Sequence, residues 1–119
     1  MDIPVEEIDG VAVAEIPVEE LDASNSGDLK RDMAPILDRY SKLAIDLGRL
    51  HFVDSSGLGA MLSCLRHLTA KGGDLKLCGM SKPVRATFEL VRMHRIFDIF
   101  ATRQDAARAF QTGSRTSAT

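Results

Sequence analysis

Two short, mainly apolar stretches near the start of the chain predict β-strands. In the stretch VAVAEIPV, residues 11–18, successive side chains would point to opposite faces of a strand. The two predicted faces are Val11, Val13 and Glu15 on one side and Ala12, Ala14 and Ile16 on the other. The turn dipeptide DG separates this stretch from another at residues 3–8, so we expect two strands joined by a tight turn.

The spacing of apolar residues becomes helical in the next stretch, residues 21–43. Apolar side chains recur there three or four positions apart, at Leu29, Met33, Leu37 and Tyr40. The residues just before them favour a helix N-terminus: Ser24, Asn25 and Ser26. Pro35 removes one backbone donor and costs about 3 kcal/mol in a regular helix interior. We therefore expect either a kink at Pro35 or a helix that starts late.

A second helix is predicted to begin at Ser55, after a buried strand at residues 43–47. Its apolar stripe follows one helical spacing: Leu58, Met61, Leu62, Leu65 and Leu68. The helix is expected to end at Lys71 and Gly72, because a basic residue suits a helix C-terminus and glycine suits a left-handed cap.

The remaining chain alternates strand and helix patterns. The predicted elements are strands at residues 74–79 and 96–101 and helices at residues 81–93 and 103–112. The order β-β-α-β-α-β-α-β-α indicates an α/β fold with right-handed crossovers and some parallel strands. We expect one mixed sheet of about five strands with about four helices largely on one side. A single domain over residues 1–112 would leave residues 113–119 as a flexible tail.

Composition argues against several classes of protein. The net charge is −2, with no tryptophan and one tyrosine, whereas nucleic-acid binders show a basic face or stacking aromatics. No apolar stretch approaches the roughly 20 residues of a membrane span, and the acidic start has no signal-peptide pattern. We therefore expect a cytoplasmic protein with no membrane or nucleic-acid partner. Cys64 and Cys78 lack the spacing of a zinc or redox motif and are expected to be buried thiols.

The stretch HFVDSSGLG, residues 51–59, places two adjacent serines at the start of the second helix. A hydrolase nucleophile elbow needs GxSxG, but Val53 and Asp54 stand where the first glycine is required, and a histidine beside Ser55 would also be needed. A phosphate-binding loop needs a lysine at the helix start, and SSGLGAML has none. We therefore predict no catalytic residue, metal ligand or bound cofactor at this loop.

A helix cap and a phosphate acceptor both remain open for these serines. Asp54, Ser55 and Ser56 are all favoured N-cap residues, whose side-chain oxygens accept bonds from free backbone N–H groups. One such residue suffices, whereas Gly57 and Gly59 each cost about 1 kcal/mol of helix propensity relative to alanine. This cost indicates that another molecule approaches the first turn closely. A helix N-terminus would tolerate a phosphate, which adds about −1.5 to −2 charges.

Several stretches together resemble the STAS-domain anti-sigma factor antagonists. FVDSSGLGAML, which begins at Phe52, is similar to the phosphorylation loop of that family. EELDASNSGDL, residues 19–29, resembles the family's Glu-Leu-Asp turn before the first helix, and GGDLKLCGMSKPVRATFELV resembles its fourth strand and third helix. The resemblance covers about residues 5–112 and implies a STAS-type fold.

The resemblance implies a partner-switching protein and not an enzyme. In this family the unmodified antagonist binds an anti-sigma factor that is also a serine kinase, and a sigma factor is released. The kinase uses ATP to phosphorylate the antagonist, which then dissociates, and a PP2C-type phosphatase resets it. ATP thus belongs to the partner, no cofactor is expected in this chain, and the free chain is expected to be a monomer.

Site residues follow from matching the family's motif to this chain. The accepting hydroxyl directly follows the aspartate, so the resemblance assigns phosphorylation to Ser55, with Ser56 as the alternative. The implied phosphosite loop and kinase-docking surface comprises Asp54, Ser56, Gly57, Leu58, Gly59, Asp22, Ser24 and Asn25. Glu19 departs from the family's usual glycine before Glu-Leu-Asp and leaves the partner's identity open. The alternative function is an unphosphorylated STAS scaffold or a transporter-associated regulatory subunit.

Overall fold

A five-stranded mixed sheet forms the centre of the structure. The computed structural model describes residues 1–111, so the predicted tail at residues 113–119 lies outside the described residues. The strands, in chain order, are β1 (Val5–Ile8), β2 (Val11–Glu15), β3 (Glu20–Leu21), β4 (Lys42–Asp46), β5 (Phe52–Val53), β6 (Asp74–Cys78) and β7 (Asp98–Phe100). The helices are α1 (Ser26–Arg39), α2 (Ser55–Ala70), α3 (Lys82–Leu90) and α4 (Arg103–Gln111). Within residues 1–111, no helix has the length and apolar character needed to cross a membrane.

The main sheet has the strand order β1-β2-β4-β6-β7. β1 and β2 form an antiparallel hairpin, whereas the pairs β2–β4, β4–β6 and β6–β7 are parallel. The hairpin turns at Asp9 and Gly10, which both have positive φ, as a two-residue turn of the DG type requires. The prediction of an α/β fold with one mixed sheet of about five strands is confirmed.

The four helices lie on both faces of the main sheet, three on one face and one on the other. α1, α2 and α3 share a core with the inward side chains of the strands, which include Ala12, Ala14, Leu43, Ile45, Leu75 and Leu77. α4 packs on the opposite face, through Ala106 and Ala107, against Val11, Val13 and Ala44. The two faces predicted for residues 11–16 therefore pack against different helices. The prediction that the helices lie largely on one side of the sheet is confirmed.

Two cations fix α4 to its face of the sheet. The buried Nζ of Lys76 lies 3.0 Å from Asp98 and 3.3 Å from Asp74, and 4.7 Å from the centroid of the Phe110 ring. Arg103, the first residue of α4, donates hydrogen bonds to three carboxylates, those of Glu6, Glu15 and Asp46. Detachment of α4 would separate Arg103 from its three carboxylates and the Phe110 ring from Lys76, so both sets of contacts oppose it.

Two helix ends differ from the sequence prediction. α1 begins at Ser26 and runs through the exposed Pro35 to Arg39. Of the two alternatives for Pro35, the late start is therefore wrong, and the kink stays a prediction. α3 ends at Leu90 and not at residue 93, because Arg92 adopts a left-handed conformation with φ of 62°. A 3₁₀ turn follows at Met93–Arg95, and it delays the last strand of the sheet to Asp98.

A second, two-stranded sheet lies beside the main one, and the hydrophobic pattern did not predict it. β3 and β5 are parallel, with Glu20 opposite Phe52 and Leu21 opposite Val53. Backbone hydrogen bonds continue the pairing on both sides, from His51 N–H to the Glu19 carbonyl at 2.7 Å and from Asp54 N–H to the Leu21 carbonyl at 3.1 Å. The segment that enters α1 is therefore fixed beside the segment that enters α2.

The absence of a side chain at Gly57 allows α2 to pack against this small sheet. A Cβ at residue 57 would lie 2.6 Å from Val53 Cγ2 and 2.7 Å from the Leu21 carbonyl oxygen. Both distances are too short for real carbon contacts, and one of the obstructing atoms belongs to the backbone. At Gly59 a Cβ would meet no atom within 4 Å. Packing within the domain therefore requires glycine at residue 57 but not at residue 59.

We predict opposite effects on stability when each glycine is replaced by alanine. Gly57→Ala should lower the free energy of unfolding by about 1–3 kcal/mol, because the new methyl group overpacks the contact with β3 and β5. Gly59→Ala should raise it by up to about 1 kcal/mol through helix propensity. Urea unfolding followed by circular dichroism measures both values. Equal stability of the two variants would contradict the packing role of Gly57.

Candidate functional site

The N-cap residue of α2 joins two loops into one site. Asp54 Oδ1 accepts a hydrogen bond from Gly57 N–H at 3.0 Å, which is the capping bond of α2. Asp54 Oδ2 accepts from Ala23 N–H at 3.3 Å, in the turn that follows β3. One carboxylate therefore caps the helix and also holds the Glu-Leu-Asp turn against it, so the structure brings these two predicted parts of the site together.

The serine hydroxyls are left for other uses because Asp54 provides the capping oxygen. Ser55 is the first residue of α2 and is exposed, whereas Ser56 is half-buried. Within residues 1–111, neither hydroxyl forms a hydrogen bond with another group of the chain. The cap that all three residues could have supplied is thus assigned to one of them, and Ser55 presents an unengaged hydroxyl to solvent.

The turn after β3 is rigid because its own side chains hydrogen-bond across it. Asp22 Oδ1 accepts from the Ser24 N–H at 2.9 Å and from the Ser24 hydroxyl at 2.5 Å. Asn25 Oδ1 accepts from Asp22 N–H at 2.9 Å, and its Nδ2 donates to the Glu20 carbonyl at 2.8 Å. Hydrogen bonds from the hydroxyl and the N–H of Ser24 lower the pKa of Asp22. Asp22 is therefore a carboxylate at neutral pH, and Ser24 and Asn25 fix its position.

The predicted loop residues after the serines separate into buried and open positions. Leu58 is buried in the core that α2 shares with the sheet, so its side chain is not available to a partner. Gly57 is buried against Leu21 and Val53. Gly59 is exposed, with open space where its side chain would be. Of the two glycines expected to admit a kinase, only Gly59 faces the outside.

Two of the three histidines, the residue type that a hydrolase would need as its base, lie beside carboxylates. His67 Nε2 lies 2.7 Å from Asp38 Oδ1, between α2 and α1, and His51 faces Glu19 with an Nε2–Oε1 distance of 3.9 Å. Burial raises the pKa of the Cys64 thiol to about 11 and that of the Cys78 thiol to about 12. Neither cysteine is therefore a thiolate nucleophile at neutral pH. The arrangement leaves an exposed hydroxyl at Ser55, directly after the Asp54 carboxylate that caps α2.

Sequence reasoning missed one conspicuous surface residue of this site. Phe52 precedes Asp54 by two positions, and 51% of its surface is exposed. Its neighbour Val53 is buried. Leu21, which is opposite Val53 in the small sheet, and Gly57, which lies against the Val53 side chain, are buried as well. Alternation between exposed and buried residues in Glu20–Leu21 and Phe52–Val53 was the signal, but strands of two residues are too short for a pattern to be read from them.

Comparison with known proteins places the chain in a family. The family model of the STAS domain matches residues 2–106. BtrV of Bordetella bronchiseptica, named as a candidate anti-sigma factor antagonist, is 31% identical over 113 residues, which cover 94% of this chain and 97% of that protein. The anti-sigma-B factor antagonist of Bacillus subtilis is 28% identical over 82 residues, 69% of this chain and 75% of that protein.

Solved structures share the fold at low sequence identity. An anti-sigma factor antagonist (STAS) domain protein of Planctomyces limnophilus has a TM-score of 0.84 at 19% identity, over 93% of this chain and 99% of that chain. SpoIIAA of Bacillus in its phosphorylated form has a TM-score of 0.67 at 22% identity, over 92% of this chain and 99% of that chain. The murine anion transporter Slc26a9 has a TM-score of 0.71 at 20% identity, over 92% of this chain and 19% of the transporter.

The family model spans most of the chain, and BtrV is similar over almost the full length of both proteins. The fold also agrees with that of the solved STAS domain protein of Planctomyces limnophilus. The chain belongs to the STAS domain family.

Proposed function

We propose that this protein is an anti-sigma factor antagonist whose partner binding is ended by phosphorylation of Ser55. The observation that carries the proposal is the exposed Ser55 hydroxyl at the start of α2, beside a cap that Asp54 supplies alone. Two relatives named as antagonists, BtrV and the Bacillus subtilis protein, support the assignment to this class. A structural neighbour in a phosphorylated form supports the presence of a phosphate acceptor in such a domain.

The fold alone does not carry this proposal, because part of the transporter Slc26a9 has a similar fold. What favours the antagonist is the detail of the α2 start. Ser55 is accessible, Gly59 leaves open space one turn further along, and the Asp22 turn lies against the same cap. An acceptor must fit into a kinase active site, and these features leave the hydroxyl unobstructed.

Ser55 is a better acceptor than Ser56 for a geometric reason. Ser55 is exposed at the first position of α2, whereas Ser56 is half-buried at the second. A kinase must bring the serine oxygen into line with the γ-phosphate of ATP, which requires access from outside the domain. In this proposal the chain is the substrate of the partner's ATP-dependent reaction, and the kinase binds the ATP.

The added phosphate would act on the partner and not on the fold. Phosphorylation adds about −1.5 to −2 charges at a surface that already holds the carboxylates of Asp22 and Asp54. The N-terminus of α2 tolerates a negative group, so the helix persists. A partner surface complementary to the unmodified site would meet new negative charge and would lose its hydrogen bonds to the hydroxyl. Removal of the phosphate by a PP2C-type phosphatase would restore binding.

The proposal predicts the position of the phosphate. The chain is incubated with ATP and with each purified anti-sigma factor kinase of its own organism, and the phosphate is mapped by mass spectrometry. Phosphate is expected on Ser55 in the wild type and in Ser56→Ala, and none in Ser55→Ala. No phosphorylation of the wild type by any of these kinases would contradict the proposal. Phosphate found on the Ser55→Ala variant would instead assign the acceptor role to Ser56.

A second prediction concerns the charge at the binding surface. Ser55→Asp should weaken the binding of the chain to the anti-sigma factor that binds the unphosphorylated wild type. The loss should be at least about tenfold, because a negative charge replaces the hydroxyl at the contact. Ser63→Asp is the matched control, since Ser63 is also an exposed serine of α2, about two turns further along. Calorimetry measures both affinities. Equal affinities of the two variants would argue against an electrostatic switch at Ser55.

A further inference from the structure

A group of exposed apolar side chains lies at the C-terminal end of α3 and in the turn that follows it. Leu90 is 83% exposed, Val91 50% and Ile96 51%. Single exposed apolar residues are common on protein surfaces, but these three stand close together in the chain. Arg92 and Arg95, both exposed, lie between them. We call these five residues the α3-end patch.

The patch is held in place by buried residues of the same segment. Met93 and Phe97 are buried in the core beneath it, and the Phe97 ring packs edge-on against the Phe88 ring, with centroids 6.0 Å apart. The Ile96 N–H donates a hydrogen bond to the Met93 carbonyl at 3.0 Å. Apolar side chains on an ordered backbone lose less conformational entropy when a partner covers them, so this segment is suited to binding.

The charge around the patch is positive, although the chain as a whole is negative. Residues 82–96 include one acidic residue, Glu89, and four basic residues, Lys82, Arg85, Arg92 and Arg95. Glu89 already pairs with Arg85 at 3.2 Å. Among residues 1–111, the side chains of Arg92 and Arg95 have no ion-pair or hydrogen-bond partner. The patch is therefore complementary to an apolar surface that is bordered by aspartate or glutamate.

Phosphorylation of Ser55 would leave the patch unchanged. α3 begins near β5, where the Ser81 hydroxyl donates to the Leu50 carbonyl at 3.4 Å. Leu90, the last residue of α3, lies about 13 Å further along the helix axis. In the part of the chain that the structure describes, no hydrogen bond or ion pair joins the patch to the Ser55 loop or to the Asp22 turn. A phosphate at the α2 start would therefore not alter the contacts that the patch offers.

The proposed cycle needs one partner that recognises the phosphorylated chain. The anti-sigma factor releases this form, because the phosphate changes the surface that it contacts. The phosphatase must bind the same form, so its contacts outside the phosphoserine need a surface that keeps its shape and charge. Contacts remote from the reacting group can supply binding energy for the chemical step. The α3-end patch is ordered, apolar and unaffected by the modification, so it meets this need.

We propose that the α3-end patch is the docking site of the phosphatase that removes the phosphate from Ser55. Leu90 and Ile96 fill an apolar depression on the phosphatase, and Arg92 and Arg95 pair with acidic residues at its rim. In the reaction, water attacks the phosphorus, the bond from phosphorus to Ser55 Oγ breaks, the serine oxygen takes up a proton from the water, and inorganic phosphate leaves. This inference rests on the proposed function and adds to it a second interaction surface with a partner of stated chemistry.

The first test measures kcat/KM for phosphate release by the PP2C-type phosphatase of the same organism, with the chain fully phosphorylated on Ser55 as substrate. The double variant Leu90→Ser, Ile96→Ser should lower kcat/KM by at least about tenfold, because an apolar anchor is lost. The loss should be mainly in KM, since docking and not the chemical step is affected. Arg95→Glu should also lower kcat/KM and should weaken its dependence on salt.

Two variants outside the patch are matched controls. Val5→Ser changes an apolar residue of β1 that is 37% exposed, and Arg66→Glu changes an exposed arginine of α2 whose side chain has no partner among the described residues. Both should keep the wild-type kcat/KM. Every variant should also keep the wild-type affinity for the anti-sigma factor, measured by calorimetry on the unphosphorylated chain. Circular dichroism checks that each one is folded.

The second test separates docking from the phosphate. Unphosphorylated wild-type chain should inhibit the phosphatase competitively, because its patch is the same in both forms, whereas the unphosphorylated Leu90→Ser, Ile96→Ser variant should not. A phosphopeptide of residues 51–59 lacks the patch, so its kcat/KM should be close to that of the phosphorylated double variant. A general loss of stability in the double variant would not reproduce this agreement with a short peptide.

Each outcome separates this inference from the proposed function. If no anti-sigma factor kinase of the organism phosphorylates the wild type, the proposed function fails and this inference fails with it. If the wild type is phosphorylated on Ser55 but the patch variants are dephosphorylated with the wild-type kcat/KM, the docking site alone is overturned. Failure of every PP2C-type phosphatase of the organism to release the phosphate would overturn it as well.

Two other occupants of the patch are tested with the unphosphorylated chain. Self-association that Leu90→Ser abolishes would overturn the inference, since a second copy would then cover the patch. Binding to vesicles of phosphatidylglycerol and phosphatidylcholine that Leu90→Ser abolishes would overturn it in favour of a membrane surface. A loss of affinity for the anti-sigma factor in the patch variants would also overturn it, because the patch would then not be specific to the phosphatase.

Discussion

The close contact of Gly57 with β3 and β5 is the constraint on which the site depends. With no side chain at residue 57, the first turn of α2 reaches the Leu21 carbonyl and the Val53 side chain. That carbonyl is also the acceptor for Asp54 N–H, so one peptide group of β3 faces both the helix and its cap residue. The approach to α1, the approach to α2 and the cap are held as one unit, in which every later feature of the site has a fixed place.

Within that unit, one residue provides the structure and its neighbour is left for function. A helix start needs a single capping oxygen, and Asp54 supplies it while also binding Ala23 N–H. Ser55 therefore contributes nothing to the cap and can be modified without loss of the helix. The two glycines differ in the same way, since Gly57 serves the internal contact and Gly59 leaves an open surface. Cap and acceptor are compatible because they are different residues.

Long periodic segments of the fold could be predicted from the sequence, and short or tertiary features could not. The apolar run in residues 11–16 and the stripes of α1 and α2 are long enough to identify a strand and two helices. β3 and β5 have two residues each, and their pairing depends on contacts between segments about thirty positions apart in the chain. The end of α3 was misplaced because a left-handed residue, Arg92, ends a pattern that remains apolar beyond it. Which of Asp54, Ser55 and Ser56 caps α2 also required the fold, since all three are favoured there.

In the proposed function, a phosphate on Ser55 ends partner binding while the domain stays folded. The most direct measurement compares the unmodified chain with the same chain phosphorylated to completion on Ser55, in calorimetric titrations against its anti-sigma factor, alongside amide NMR spectra of both forms. Measurable binding is expected only for the unmodified chain, with spectral changes confined to residues near the α2 start and the Asp22 turn. Equal affinity of the two forms, or spectral changes throughout the main sheet, would contradict it.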